Sequence, residues 1–212
     1  MRWLQLHPDA VFARSPRAGH RPAPSLGFSI LYGSLSFGTV SVIAYSLWAF
    51  QIIRGQAAMY SAVALVYIGL TGLALNRLVL GRGTAGRFAL LFALGFLLYA
   101  VAWCAFWFGM RGKHHADLWG AAIGLAAFAW VVLRAFGVRH EFLSCFSVLF
   151  AFHTFGYYLG DVLYATFGGT GGRLLWGAAH GLGFGAGLGY VLHRGQTPLR
   201  QRWQSASPIP TG

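Results

Sequence analysis

Polar positions along the chain fall in short clusters, and long apolar runs lie between them. The runs cover about 26–52, 57–75, 88–109, 118–136, 142–164 and 173–193. Each approaches or exceeds the roughly 20 residues that a helix needs to cross a bilayer. The pattern predicts an all-α, polytopic membrane protein with six transmembrane helices. The clusters between the runs are Arg54-Gly-Gln, Asn76 to Arg87, Arg111 to Asp117, Arg139-His140-Glu141 and Gly168 to Gly172. Three parts are expected: a basic lead over 1–25, a six-helix domain over 26–193, and a tail over 194–212 read as disordered. Within the lead, Trp3, Leu4 and Phe12 are expected as interfacial contacts.

Composition agrees with that division. The 212 residues are 57% hydrophobic and 9% charged, whereas a soluble domain carries about 25% charge. The net charge of +12 comes from 16 bases against 4 acids. In a soluble chain this would point to nucleic acid. Here the bases lie in short loops and at the two ends, so the expected partner is the lipid bilayer and nucleic acid is not expected. Twelve of the 16 bases fall in the lead, the second and fourth loops and the tail. This distribution places both termini in the cytoplasm and the protein in the cell inner membrane. No secretory signal is expected, because the first 25 residues hold four Arg and no apolar core. Cys104 and Cys145 are expected as free thiols, since the topology sets them near opposite sides of the membrane.

The sixth run is organised differently from the others. Glycine stands at 177, 181, 183, 185, 187 and 189. On a helix Gly183 and Gly187 share a face with His180, while Gly181, Gly185 and Gly189 line another. Both faces have the small-xxx-small spacing that lets neighbouring backbones approach in lipid. His180 is therefore expected to face protein, where an ionisable group marks a functional site. In the fifth run His153, Gly156, Tyr157 and Gly160 form one stripe. Asp161 lies ~80° off His153 and ~12 Å further outward. The fifth and sixth helices are expected as antiparallel neighbours, with His153 and His180 at similar depths. Their packing glycines are then Gly156, Gly160, Gly183 and Gly187, and Asp161 forms an ion pair with Arg173.

Several chemistries suit these residues. His153, Tyr157, Asp161 and His180 form a binding site in one reading. A divalent metal is a second, with ligands drawn from His114, His115, Asp117, His153 and His180. Haem b between His153 and His180 is a third. His140 and His153 are 13 residues apart, as are His180 and His193, a spacing that turns about 220° on a helix. The outer member of each pair, His140 or His193, is therefore read as interfacial. Acid/base work by His153, Asp161 and His180 on a lipid is a further alternative.

Two resemblances attach to the same helix. The stretch Gly177-Ala-Ala-His180-Gly-Leu-Gly-Phe184 is similar to the His-Gly-Leu-Gly-Phe segment of hydrogenase/urease accessory membrane proteins, which implies nickel supply. Ala179-His180-Gly-Leu-Gly183-Phe-Gly-Ala-Gly187 resembles the last helix of rhomboid intramembrane proteases. The loop Gly81 to Phe88 looks like the rhomboid linker between helices two and three. This second resemblance implies six helices, cytoplasmic termini and a cleft beside His180. The fourth helix reads Trp119-Gly120-Ala-Ala-Ile-Gly124 where a rhomboid has Gly-x-Ser-Gly. No Ser, Thr or Cys occurs between Lys113 and Leu143. Ser144 and Ser147 lie roughly 10–15 Å below His180, out of reach for a nucleophile–base pair. The expected protein is a rhomboid-like, non-proteolytic binder of a transmembrane client or lipid, not a conventional serine protease. The alternative is a metal- or haem-binding membrane protein using His153 and His180.

Overall fold

The computed structural model describes residues 2–15 and 23–206. Among these every regular element is helical: α1 (Pro8–Arg14), α2 (Leu26–Ala49), α3 (Gln56–Ala74), α4 (Ala85–Gly109), α5 (Ala116–Ala135), α6 (Phe142–Phe167), α7 (Gly169–Gly195) and α8 (Thr197–Ala206). Helices α2 to α6 are long and apolar enough to cross a membrane. Helix α7 is the longest, at 27 residues. Its glycines take positions that aliphatic side chains hold elsewhere, so apolarity alone does not mark it as a span. The expected glycine turn before it shrinks to Gly168 and Gly169, at φ 57° and 52°. Such values lie in the left-handed region that glycine enters without strain.

From α2 to α7 each long helix packs on the next, and α7 returns to α2, so the six close into a ring. The contacts of α7 with α2 and α6 are by far the most extensive, and its glycines explain both. A Cβ at Gly181 would strike Ser41, and one at Gly185 or Gly189 would strike the carbonyl of Gly33 or Ser29, all on α2. On the opposite face a Cβ at Gly183 would strike the Phe152 carbonyl, and one at Gly187 would come within 2.8 Å of Leu149, both on α6. The backbones touch where side chains are absent. Two hydroxyls of α2 use that approach: Ser41 Oγ donates to the Gly177 carbonyl at 2.6 Å and Ser34 Oγ to that of Leu182 at 2.8 Å.

Phe184 fills the middle of the ring, with Phe37, Tyr99 and His153 at ring-centroid distances of 4.9, 5.3 and 5.0 Å. Large aliphatic side chains such as Leu65, Leu73, Leu97 and Leu143 point outward. The ring is thus apolar on its rim as well as in its core, which suits a lipid solvent.

Lead and tail meet beneath the ring. Helix α1 packs on α8 through Val11, Leu199 and Trp203. Asp9 pairs with Arg202, and Trp203 Nε1 donates to the Ser15 carbonyl at 2.9 Å. The Gln196 side chain ties α7 to the stretch after α3. Its Oε1 accepts from Leu80 N at 2.7 Å and its Nε2 donates to the Leu78 carbonyl at 2.8 Å. Arg194 donates to both oxygens of Glu141, at 2.6 and 3.2 Å.

These contacts correct the expectation of a disordered tail: 194–206 is helical but for the junction at Gln196, while 207–212 fall outside the described residues. Leu199 and Trp203, four apart, make an apolar stripe that Arg200 and Arg202 mask in the sequence. Leu4 is corrected too, being buried in the core rather than interfacial, and Phe12 packs on the α1–α8 cluster. Trp3 alone of the three is exposed. Both cysteines are free.

Candidate functional site

The ring encloses a cavity of about 850 Å³. Its walls come from α2, α3, α4, α6 and α7, and its mouth from the α2–α3 connection at Gln51, Arg54 and Gly55. That end lies opposite α1 and α8, because the N-terminal part of α2 meets the C-terminal part of α7 at Ser29 and Gly189. Aromatic residues dominate the lining. On α4 they recur as Phe92, Phe96, Tyr99 and Trp103, spaced by four, three and four residues, so one helix face carries them all. Phe96, Tyr99 and Trp103 reach the cavity, while Phe92 stays in the core below.

The polar floor is built by the glycine contact between α6 and α7. A Cβ at Gly156 would come within 3.1 Å of the Gly183 Cα, so the two backbones approach there. The same stripe carries His153, and the opposing face carries His180. Their Nε2 atoms meet at 3.2 Å, and the Tyr99 hydroxyl lies 2.8 Å from His153 Nε2. Both imidazoles are buried. His180 lines the cavity, and His153 supports it from behind. One Nε2 must donate and the other accept, so at least one ring is neutral. Both Nδ1 atoms are buried without a protein partner. The result is a three-member cluster in which Tyr99 and His180 converge on His153 Nε2, placing a polar imidazole on the cavity floor.

Asp161 and Arg173 correct an expectation: they form no ion pair. Asp161 accepts from Trp176 Nε1 at 2.7 Å. Arg173 donates to the carbonyls of Trp48 and Ala49 at 3.3 and 3.5 Å and lies 5.2 Å from the Trp48 ring centroid. The carbonyls at the end of a helix lack intrahelical donors, and those of α2 compete for the guanidinium. Asp161 and Tyr157 both line the cavity, and Tyr157 lies edge-on to Trp176 and His180, at 5.0 and 6.3 Å between centroids.

The expected five-residue metal set is not assembled. His114 and His115 are exposed on the α4–α5 loop with Asp117 beside them on α5. Among the described residues no three His, Cys, Asp or Glu side chains gather as a metal site. Haem b does not fit between His153 and His180 either, because their ring nitrogens touch directly and leave no gap for a macrocycle. His140 is exposed, 3.7 Å from Glu141, and His193 is partly buried.

Sequence reasoning overlooked Tyr99, Tyr45 and Trp176 as members of the site. The helical spacing of the α4 aromatics was the signal for Tyr99. Nothing local in the sequence marks Tyr45 or Trp176, which meet at 4.8 Å across the α2–α7 contact.

Five membrane-length apolar helices, with every regular element among the described residues helical, define a multi-pass membrane protein. No protein-family model, curated protein or solved structure matches this chain.

Proposed function

We propose that the protein is a six-crossing, inner-membrane protein, rhomboid-like and non-proteolytic, whose outward-facing cavity binds a single lipid or small amphiphile beside His180. Five crossings would put the two ends on opposite sides of the membrane. The contact between α1 and α8 favours one side, hence an even number. Helix α7 supplies the sixth crossing, flanked along its length by α2 and α6. The excess of bases on the α1–α8 side favours that side as cytoplasmic.

The observation that carries the reading is the cavity itself: about 850 Å³ and aromatic-walled, with Gln51, Arg54, Gln56, Asp161 and His180 among its polar groups. Ligand sites for small molecules typically enclose ~300–1,000 Å³ in this manner. Its size also chooses between the two kinds of occupant. A helix with side chains is ~10–12 Å across. The cavity would therefore hold only roughly 7–11 Å of such a cylinder, less than half of a crossing of about 30 Å. A lipid chain or small amphiphile fits and a transmembrane client does not.

Filling the cavity tests this. Ala100 lines it from α4. Native mass spectrometry of the purified protein with 1-decanoylglycerol is expected to show one saturable adduct. Ala100→Trp is expected to remove the adduct while thermal stability is retained. Absence of a saturable adduct on the wild-type protein, or undiminished binding to a folded Ala100→Trp, contradicts the reading.

A further inference from the structure

We infer that the amphiphile carries an ammonium group, seated in the outer part of the cavity on Asp161 and the rings of Tyr45, Tyr157 and Trp176. The inference rests on the reading of the cavity as an amphiphile site and adds the chemical class of the head group.

Charge gives the first reason. The chain has 16 bases and 4 acids. Asp9 and Glu141 pair with Arg202 and Arg194 at the far end of the ring. Asp161 lines the cavity, and among the described residues no cation lies within ion-pair distance of it. Its nearest expected base, Arg173, is committed to the Trp48 and Ala49 carbonyls. In a chain with four times as many bases as acids, a carboxylate on the cavity wall with no base beside it is a feature to explain. The Trp176 N–H satisfies Oδ1, and among the described residues Oδ2 has no hydrogen-bond partner. A carboxylate that keeps its charge beside aromatic walls favours a positive counterpart, and the open space beside it is where a ligand would bring one.

The walls give the second reason. Trp176 and Tyr157 stand at 81° with centroids 5.0 Å apart, and Tyr45 leans on Trp176 at 4.8 Å. All three line the cavity next to Asp161. Tyr157 meets Trp176 edge to face, and aromatic rings in a cavity wall attract an ammonium or quaternary ammonium ion where a face is open to it. Asp161 stands two turns above His153, ~12 Å along α6. An ammonium held there leaves the apolar wall of Val63, Ala64 and Phe96 for the alkyl chain. Arg54 is the one base in the lining and sits at the mouth. It would draw an anionic head group instead, which makes the sign of the preferred charge a direct discriminator.

The test compares decyltrimethylammonium, decyl sulfate and 1-decanoylglycerol on the full-length protein by the same mass-spectrometric titration. The ammonium probe is expected to bind at least about tenfold more tightly than the sulfate, a difference of about 1.4 kcal/mol. Asp161→Asn is expected to remove that preference and Asp161→Glu to keep it, with 1-decanoylglycerol titrated alongside as the uncharged reference. If Asp161→Asn does not fold, Tyr157→Leu is expected to reduce the preference several-fold and Tyr157→Phe to preserve it. Equal binding of all three probes overturns the ammonium inference and leaves the amphiphile site standing. Preference for the sulfate, abolished by Arg54→Gln, overturns it likewise. A preference that survives both folded Asp161→Asn and Tyr157→Leu also overturns it. Failure of every probe to bind overturns the amphiphile site itself.

Discussion

Gly185→Ala is expected to remove most of the folded protein from the membrane, although it adds a single methyl group. The new Cβ would strike the Gly33 carbonyl and come within 2.7 Å of the Phe37 Cβ. Neither can retreat, because Gly33 itself packs against the Gly189 backbone and Phe37 is buried in the core. Overpacking of this kind typically costs ~1–3 kcal/mol, occasionally more. The gain in helix propensity from glycine to alanine returns at most about 1 kcal/mol. Gly183→Ala meets the same obstacle on α6, at the Phe152 carbonyl and the Gly156 Cα. The two changes force α7 away from both neighbours, so the double variant is expected to be the most damaging. Gly69→Ala on α3 is the control: a Cβ there has nothing within 4 Å. It is expected to leave stability unchanged or raise it by up to ~1 kcal/mol. Melting temperature in detergent and membrane abundance report both. Equal stability of Gly185→Ala and Gly69→Ala would refute a ring closed by backbone contact.

The second large effect is expected at the histidine pair. His180→Ala should weaken binding of 1-decanoylglycerol by removing the polar group of the cavity floor. His153 does not line the cavity, yet it holds His180 through the 3.2 Å contact and is itself held by Tyr99. It is a positioning residue. Its loss should weaken binding in the same direction, because His180 is no longer held in place. The double variant should be no weaker than the poorer single, the non-additivity of residues acting as a unit. Tyr99→Phe keeps the ring and removes only the hydroxyl, so a smaller effect in the same direction is expected. Full binding by both folded single variants would leave the pair as scaffold and move the head-group contact elsewhere.

What the sequence discloses follows from periodicity. Glycines on two faces of α7 could be read as two packed faces because a helix repeats every 3.6 residues. The approach of His153 to His180 was legible for the same reason: a short connection makes α6 and α7 antiparallel, and the stripe through Gly156 and Gly160 must then face α7. Features that depend on competition between partners were not legible. Arg173 could be matched to Asp161 by depth, but its capture by the end of α2 depends on where Trp48 and Ala49 come to lie. Helix α8 was hidden because its apolar stripe has two members, Leu199 and Trp203, and gains its meaning only against Val11 of α1. The cavity was the least legible, being a volume left between five helices rather than a property of any one. His114 and His115 attracted a metal reading by their residue type alone, and their exposure on the α4–α5 loop separates them from His153 and His180.

Cys104 provides the most direct measurement of the central claim, an outward-facing cavity inside the helix ring. It lines the cavity from α4, whereas Cys145 is fully buried on α6. Intact cells expressing the protein would be treated with a membrane-impermeant, cationic methanethiosulfonate reagent, and the two thiols read by mass after purification. Modification of Cys104 from the outside is expected, slowed by 1-decanoylglycerol, with Cys145 unreactive until the protein is denatured. Modification of Cys104 only in inside-out vesicles would place the mouth on the cytoplasmic face. No modification from either side, with full reaction after denaturation, would mean that the cavity is closed. Either result contradicts the account.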